Sequence, residues 1–364
     1  MVDKKKLQKL ADIVVNYSIQ VKKGEKILLR GYGFDSYPLI KELYREAIKA
    51  GAIQVDVRFS HDELSKIFFD YANEQQMKYI SDLDKKIADS YDAMVQVLSE
   101  ENPYELSGVN IKKLHVAQKA RKPLSDILHK KRWCLLAYPN LASAAMSHKR
   151  LDEWEDFVID TCVLDWSKEE KKQQKFIDVV SKVKKIRIVG DETDLEVLVK
   201  GQKWITCCGK RNLPDGEIFT SPIRDGVNGI IKYNVPTYYQ SHNFDWVKLT
   251  LKNGKVVKEE SDNKKALTEI LNTDKGSRHY GEFAFGLNDK VKEATRQILF
   301  DEKMGKSLHM ALGKCYDECP NGNDSNVHWD LIFNFKWADA EIYFDGKKVY
   351  SKTKWVDKKL SFLN

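Results

Sequence analysis

Residues 328 to 337, HWDLIFNFKW, alternate strictly between two kinds of side chain. Trp329, Leu331, Phe333, Phe335 and Trp337 fall on one side, and His328, Asp330, Ile332, Asn334 and Lys336 on the other. Period two with aromatic and branched residues specifies a half-buried strand. His328 and Asp330 then share a face. A neutral imidazole and a carboxylate held this way on a rigid strand make half of a metal site. Taken alone, His-x-Asp is more often a hydrogen-bonded or solvated pair, so further donors are needed. His309 lies just upstream, with Tyr316 beyond it.

At 364 residues the chain exceeds one ordinary core, and we expect two domains, 1–183 and 184–364. The first opens with an amphipathic helix on Leu7, Leu10, Ile13, Val14 and Tyr17. KILLRG, SYPLIKELYREAIKAG and AIQVDVRF then read as a strand–helix–strand unit, with Ser36 as N-cap and Gly51 past the helix end. Further strands are expected at 93–98 and 133–138. This is an α/β domain with a parallel sheet. GYGFDSYP lacks the third glycine of a dinucleotide loop and any Gly-Lys-Ser/Thr, so it reads as an ordinary turn.

Residues 166–183 form a charged helical stretch before the boundary. Beyond it, strands at 185–189 and 194–199 and the hairpins LTLKNGKVV and IYFDGKKVY indicate a β-rich α+β domain. Helices are expected near 264–271 and 289–299.

Lys plus Arg number 61 and Asp plus Glu 54, a net charge of +7 spread along the chain. No one-sided basic face with interleaved aromatics is visible, which argues against a nucleic-acid partner. No apolar run is long enough for a membrane span, and the N-terminus lacks a signal-peptide core. Cys134, Cys162, Cys207, Cys208, Cys315 and Cys319 show no Cys-x-x-Cys pair, which argues against a thiolate zinc site. A cytoplasmic protein with reduced thiols is expected.

Glu217 follows the turn Pro214-Asp215-Gly216, and Glu282 lies among glycines and aromatics. A carboxylate in apolar surroundings is costly unless paired or bound to a cation. Each could instead cap a helix or make an ion pair, and His279 reads as a local hydrogen-bonding residue. Glu217, Glu282, His309, His328 and Asp330 together suit two divalent ions sharing a bridging carboxylate or water. Oxygen and nitrogen donors select zinc, cobalt, manganese or magnesium.

RNLPDGEIFTSP, GSRHYGEFAFGLN, DEKMGKSLHMALGKCY and SNVHWD, in that order, resemble the signature of the thermophilic metalloaminopeptidases, the aminopeptidase T and S family. The resemblance extends through VKKGEKILLRG and RWCLLAYPN. It implies a cytoplasmic homodimer with a two-metal site in its C-terminal domain. It also implies release of N-terminal residues from peptides with a free N-terminus by a two-metal-activated water. By position it makes Glu217, Glu282, His309, His328 and Asp330 the metal ligands and Tyr316 the catalytic residue. Alternatives are a two-metal hydrolase of another amide or of a phosphoester, and a binding module that kept the fold.

Overall fold

The computed structural model describes residues 2–240 and 242–364, and these divide into two compact units. The first comprises residues 1–164 with the short excursion 209–214, and the second residues 165–208 and 215–364.

In the first unit five parallel strands lie in the order Gln54–Ser60, Lys26–Tyr32, Ala93–Leu98, Arg132–Ala137 and Asn212–Leu213. Both faces of a parallel sheet need cover. Ile27, Leu29, Val95, Val97, Cys134 and Leu136 share one fully buried face by register. On the other face Leu28 and Met94 cluster with Ala88, Tyr91 and Leu128. Helix Tyr37–Lys49 follows the first strand, its apolar stripe Leu39, Ile40, Leu43 and Ala47 buried. Ser36 stands at its N-cap position but donates its hydroxyl back to the Gly33 carbonyl instead of capping. A Cβ on Gly33, at φ +82°, would lie 2.0 Å from the Ser99 carbonyl oxygen. Glycine is therefore needed to close this strand–helix turn, and no phosphate cradle is required to explain it.

The second unit holds an eight-stranded and a five-stranded antiparallel sheet. One continuous apolar cluster contains residues of both, including Ile188, Leu195, Val197, Ile231 and Leu249 from the larger, and Phe285, Leu308, Met310, Leu331 and Phe333 from the smaller. Asn253-Gly254 and Asp345-Gly346 turn their hairpins with positive φ at both residues, as a type I′ turn demands. Among the described residues no helix is long and apolar enough to cross a membrane.

Three local expectations differ. Helix Trp166–Val180 belongs to the second unit, although a boundary after residue 183 groups it with the first. Its solvated lysines and glutamates dominate the sequence, yet Phe176 packs 5.2 Å from both Phe285 and Trp355. The expected helix at 289–299 is reduced to Ile298–Asp301. Arg296 takes φ +59°, and Asp301 Oδ1 accepts from both the backbone N–H and the hydroxyl of Thr295, which fixes a loop instead. Finally, the strand from His328 ends at Asn334. Asn334 Oδ1 accepts from the N–H groups of Lys336 and Trp337, turning the chain, so Trp337 leaves the alternation and is 46% exposed.

Candidate metal centre

The five-stranded sheet runs His328–Asn334, Ser307–Gly313, Tyr280–Gly286, Glu217–Thr220 and Ile205–Cys207. One face is apolar: Ile218, Phe283, Phe285, Leu308, Met310, Leu312, Trp329, Leu331 and Phe333 all join the core. Alternation sends Glu217, Glu282, His309, His328 and Asp330 to the other face. Several of their cross-strand neighbours are small, although Ile332 also lies opposite His309 and Cys207 opposite Glu217. Ala311 lies opposite both Glu282 and Asp330, Ala284 opposite His309, Gly286 opposite Glu217, and Gly313 opposite His328. Alanine and glycine leave space above the sheet into which the long polar side chains lean. A register shift between Tyr280 and Glu282 marks a bulge, a device that re-aims a side chain. Gly281 is required there, since a Cβ would sit 2.2 Å from the Lys314 carbonyl oxygen.

The structure thus brings together all five residues singled out in the sequence. His309 Nε2 lies 3.4 Å from Glu217 Oε2, 3.6 Å from Glu282 Oε1 and 4.0 Å from Asp330 Oδ1. His328 Nε2 lies 3.3 Å from Glu282 Oε2 and 3.8 Å from Asp330 Oδ2. Two groups with metal-ligand spacing result, Glu217–Glu282–His309 and Glu282–His328–Asp330, and Glu282 is common to both. Tyr316 stands at the edge, its hydroxyl 3.3 Å from His328 Nε2 and its ring edge-on to Phe219 and His328. His328 Nδ1 lies 3.0 Å from the Lys314 carbonyl, to which it donates, and this aims Nε2 at Glu282 and Asp330, where an ion would displace its proton.

The electrostatics are those of an anionic box. Burial opposes charge on Glu282, but the imidazoles of His309 and His328 overcome it and hold the carboxyl down at about 2. Burial would lower both imidazoles, yet Glu282 with Glu217 and Asp330 lifts His309 to about 9, and Asp330 with Glu282 lifts His328 to about 10. Asp330 rises to about 6, chiefly by burial. Buried Glu217 Oε2 and Asp330 Oδ1 accept no hydrogen bond. A buried carboxylate oxygen without a donor is expensive, and a cation between these groups removes the cost. The donors therefore fit divalent ions.

Four residues around the site were not visible as site residues in the sequence. Lys303 is buried with its ammonium 2.7 Å from Glu217 Oε1, 2.7 Å from Glu302 Oε1 and 3.8 Å from Asp215 Oδ1. Glu302 forms a further group with His309 and Asp330, and Cys207 one with Asp215 and Glu217. In DEKMGK, Glu302 and Lys303 look like two more surface charges; the available signal was their place seven and six residues before His309. His279, Cys315 and Cys319 are in none of these groups.

The profile of the thermophilic metalloprotease (M29) family matches residues 3–351. Aminopeptidase 2 of Geobacillus stearothermophilus is 26% identical over 94% of this chain and 94% of its own length. Aminopeptidase AmpS of Bacillus subtilis (strain 168) is 25% identical over 96% of this chain and 98% of its own. The solved structure of wild-type AmpT from Thermus thermophilus has the same fold, with a TM-score of 0.83 at 20% identity, covering 97% of this chain and all of that one.

Proposed function

The chain belongs to the thermophilic metalloprotease (M29) family and is a metallo-aminopeptidase, and we propose that it works with two divalent ions held by Glu217, Glu282, His309, His328 and Asp330. The observation that carries the two-ion reading is the pair of ligand groups joined through Glu282. Charge supports it. Once both imidazoles are neutral, as coordination requires, Asp215, Glu217, Glu282, Glu302 and Asp330 set five carboxylates against the ammonium of Lys303, and two divalent ions supply the four remaining positive charges. One ion would leave a buried site with two uncompensated negative charges. Nitrogen and oxygen donors suit zinc, cobalt, manganese or magnesium. When bound, such ions supply Lewis acidity and lower the pKa of water toward neutrality.

The chain's own contribution is positioning. Glu282 fixes the spacing of the two ligand groups, and the apolar sheet face behind them keeps the strands rigid. Tyr316 is 41% exposed, so its hydroxyl reaches both the site and an incoming peptide. It is the donor for the oxyanion that forms at the scissile carbonyl. The carboxylates draw a positively charged α-amine toward this end of the sheet, which selects peptides with a free N-terminus. Six cysteines kept as thiols suit a reducing cytoplasm. A homodimer is the assembly the family resemblance implies, and sedimentation tests it.

A chelator is expected to abolish release of the N-terminal residue, and cobalt, zinc or manganese to restore it, with two ions counted per chain. N-acetylation of the peptide should prevent cleavage. Undiminished turnover by metal-free protein, or equal cleavage of acetylated and free peptides, would sink this reading.

A pH dependence follows with opposite signs in the two states. In the metal-free chain the raised His309 and His328 stabilise the fold fully below the unfolded histidine value of about 6.5. That stabilisation is lost as pH climbs through about 9 and 10. In the loaded chain protons compete with the ions, so stability is lost as pH falls. Melting curves of both forms across this range should cross. A metal-free chain that melts at the same temperature at pH 7 and pH 10 would contradict the electrostatic picture.

A further inference from the structure

We propose that Lys303 is a built-in cation of the metal centre, a positioning residue that splits the Glu217 carboxylate between itself and the His309 side and fills a third ligand group that would otherwise take up a metal ion. The inference rests on the ligand reading above.

The geometry is specific. Lys303 is 1% exposed, and a buried ammonium is tolerable only when paired. Its Nζ takes Glu217 Oε1 at 2.7 Å, while Glu217 Oε2 accepts no hydrogen bond and lies 3.4 Å from His309 Nε2. One oxygen is thus committed to the lysine and the other is aimed at the site. Glu302 is held the same way, with Oε1 on Lys303 and the residue grouped with His309 and Asp330. A single ammonium therefore orients two carboxylates that border one imidazole.

Its backbone is anchored on both sides. The Lys303 N–H donates to the Phe300 carbonyl, and its own carbonyl accepts from Asn288 N–H. The head group also borders the third group. Cys207, Asp215 and Glu217 offer ligand atoms within 4.8 Å of one another, and the ammonium contacts two of the three. A thiol with two carboxylates is chemically suited to zinc or cobalt. The tethered charge occupies that position permanently and keeps Glu217 Oε1 braced, whereas a third metal ion would exchange.

The experiment titrates the full-length protein with cobalt(II), counting bound ions by elemental analysis and recording near-ultraviolet absorption. The wild type should bind two ions and show no thiolate-to-cobalt band. Lys303→Met keeps most of the unbranched stem, one atom shorter, and removes the charge. It should bind a third ion with a thiolate-to-cobalt band, and adding Cys207→Ser should remove that band. Two ions at wild-type affinity and no band in Lys303→Met would overturn the proposal.

Should that variant fail to fold, Lys303→Met with Asp215→Asn removes one positive and one negative charge together. Loss of the brace on Glu217 should then weaken cobalt binding by about 10- to 100-fold, the usual cost of removing a group that orients a metal ligand. Unchanged affinity in this pair also overturns the proposal. A wild type that binds no cobalt brings down the ligand reading itself, whereas two ions in the wild type with unaltered variants bring down only the role of Lys303.

Discussion

Glu282→Gln empties both ligand groups and takes turnover down by about 10³-fold or more. Glu282 is 3% exposed and gives one oxygen to each imidazole, 3.6 Å from His309 and 3.3 Å from His328. Glutamine preserves the shape between the neighbouring strands. It replaces one of the two oxygens with an N–H donor, which repels a cation, and it removes the negative charge common to both groups. Loss of the ions forfeits several kcal/mol of transition-state stabilisation. At about 1.4 kcal/mol per tenfold, that is the stated factor. The metal-free variant should still fold, but with lower stability near neutrality. The carboxyl is held at about 2, so its contribution is fully present above the unfolded glutamate value of about 4.3 and fades only as pH falls toward 2. Metal content and steady-state kinetics on one preparation decide the matter, with Glu196→Gln on the other sheet as control. A Glu282→Gln protein carrying two ions and near-normal kcat/KM would remove the shared ligand from the account.

How far the site could be read from sequence depended on how local each signal is. His328 and Asp330 are two apart on a strand whose opposite face is aromatic, so periodicity alone put them side by side. The two hairpins were equally local, because Asn-Gly and Asp-Gly supply the positive φ that the turn demands. Convergence of Glu217, Glu282 and His309 on the same face is not local. It depends on the pairing of Ala284 with His309 and of Gly286 with Glu217, and on the bulge at Gly281, none of which periodicity encodes. Donor chemistry nominated that grouping and family resemblance supported it. Lys303 escaped both routes, since a lysine among Asp301, Glu302 and Lys306 reads as surface until tertiary structure buries it. Arg296 broke the expected helix through a backbone angle that carries no compositional signal.

Tyr316→Phe should retain both ions and lose about 10²–10³ in kcat, the typical effect of deleting one oxyanion donor, or roughly 2.7–4 kcal/mol. The ring of Tyr316 packs edge-on against His328 and Phe219, each 5.1 Å away, and phenylalanine keeps both contacts. Only the hydroxyl is lost. That hydroxyl stands 3.3 Å from His328 Nε2, at the edge of the group that His328 forms with Glu282 and Asp330. The negative charge of Glu282 is the main reason the phenol is pushed well above its usual range, with burial and Asp330 adding to it. That rise belongs to the metal-free chain; with ions bound, a phenol's ordinary value of about 10 keeps the hydroxyl protonated near neutrality, which a donor to an oxyanion requires. The interaction strengthens as charge develops on the carbonyl oxygen, so KM should move much less than kcat. A packing role predicts the reverse pattern, with little change in kcat and a lower melting temperature. Elemental analysis, melting and kinetics on the same preparation separate the two. A Phe variant with two ions and near-normal kcat assigns Tyr316 to packing and leaves the oxyanion to the ions alone.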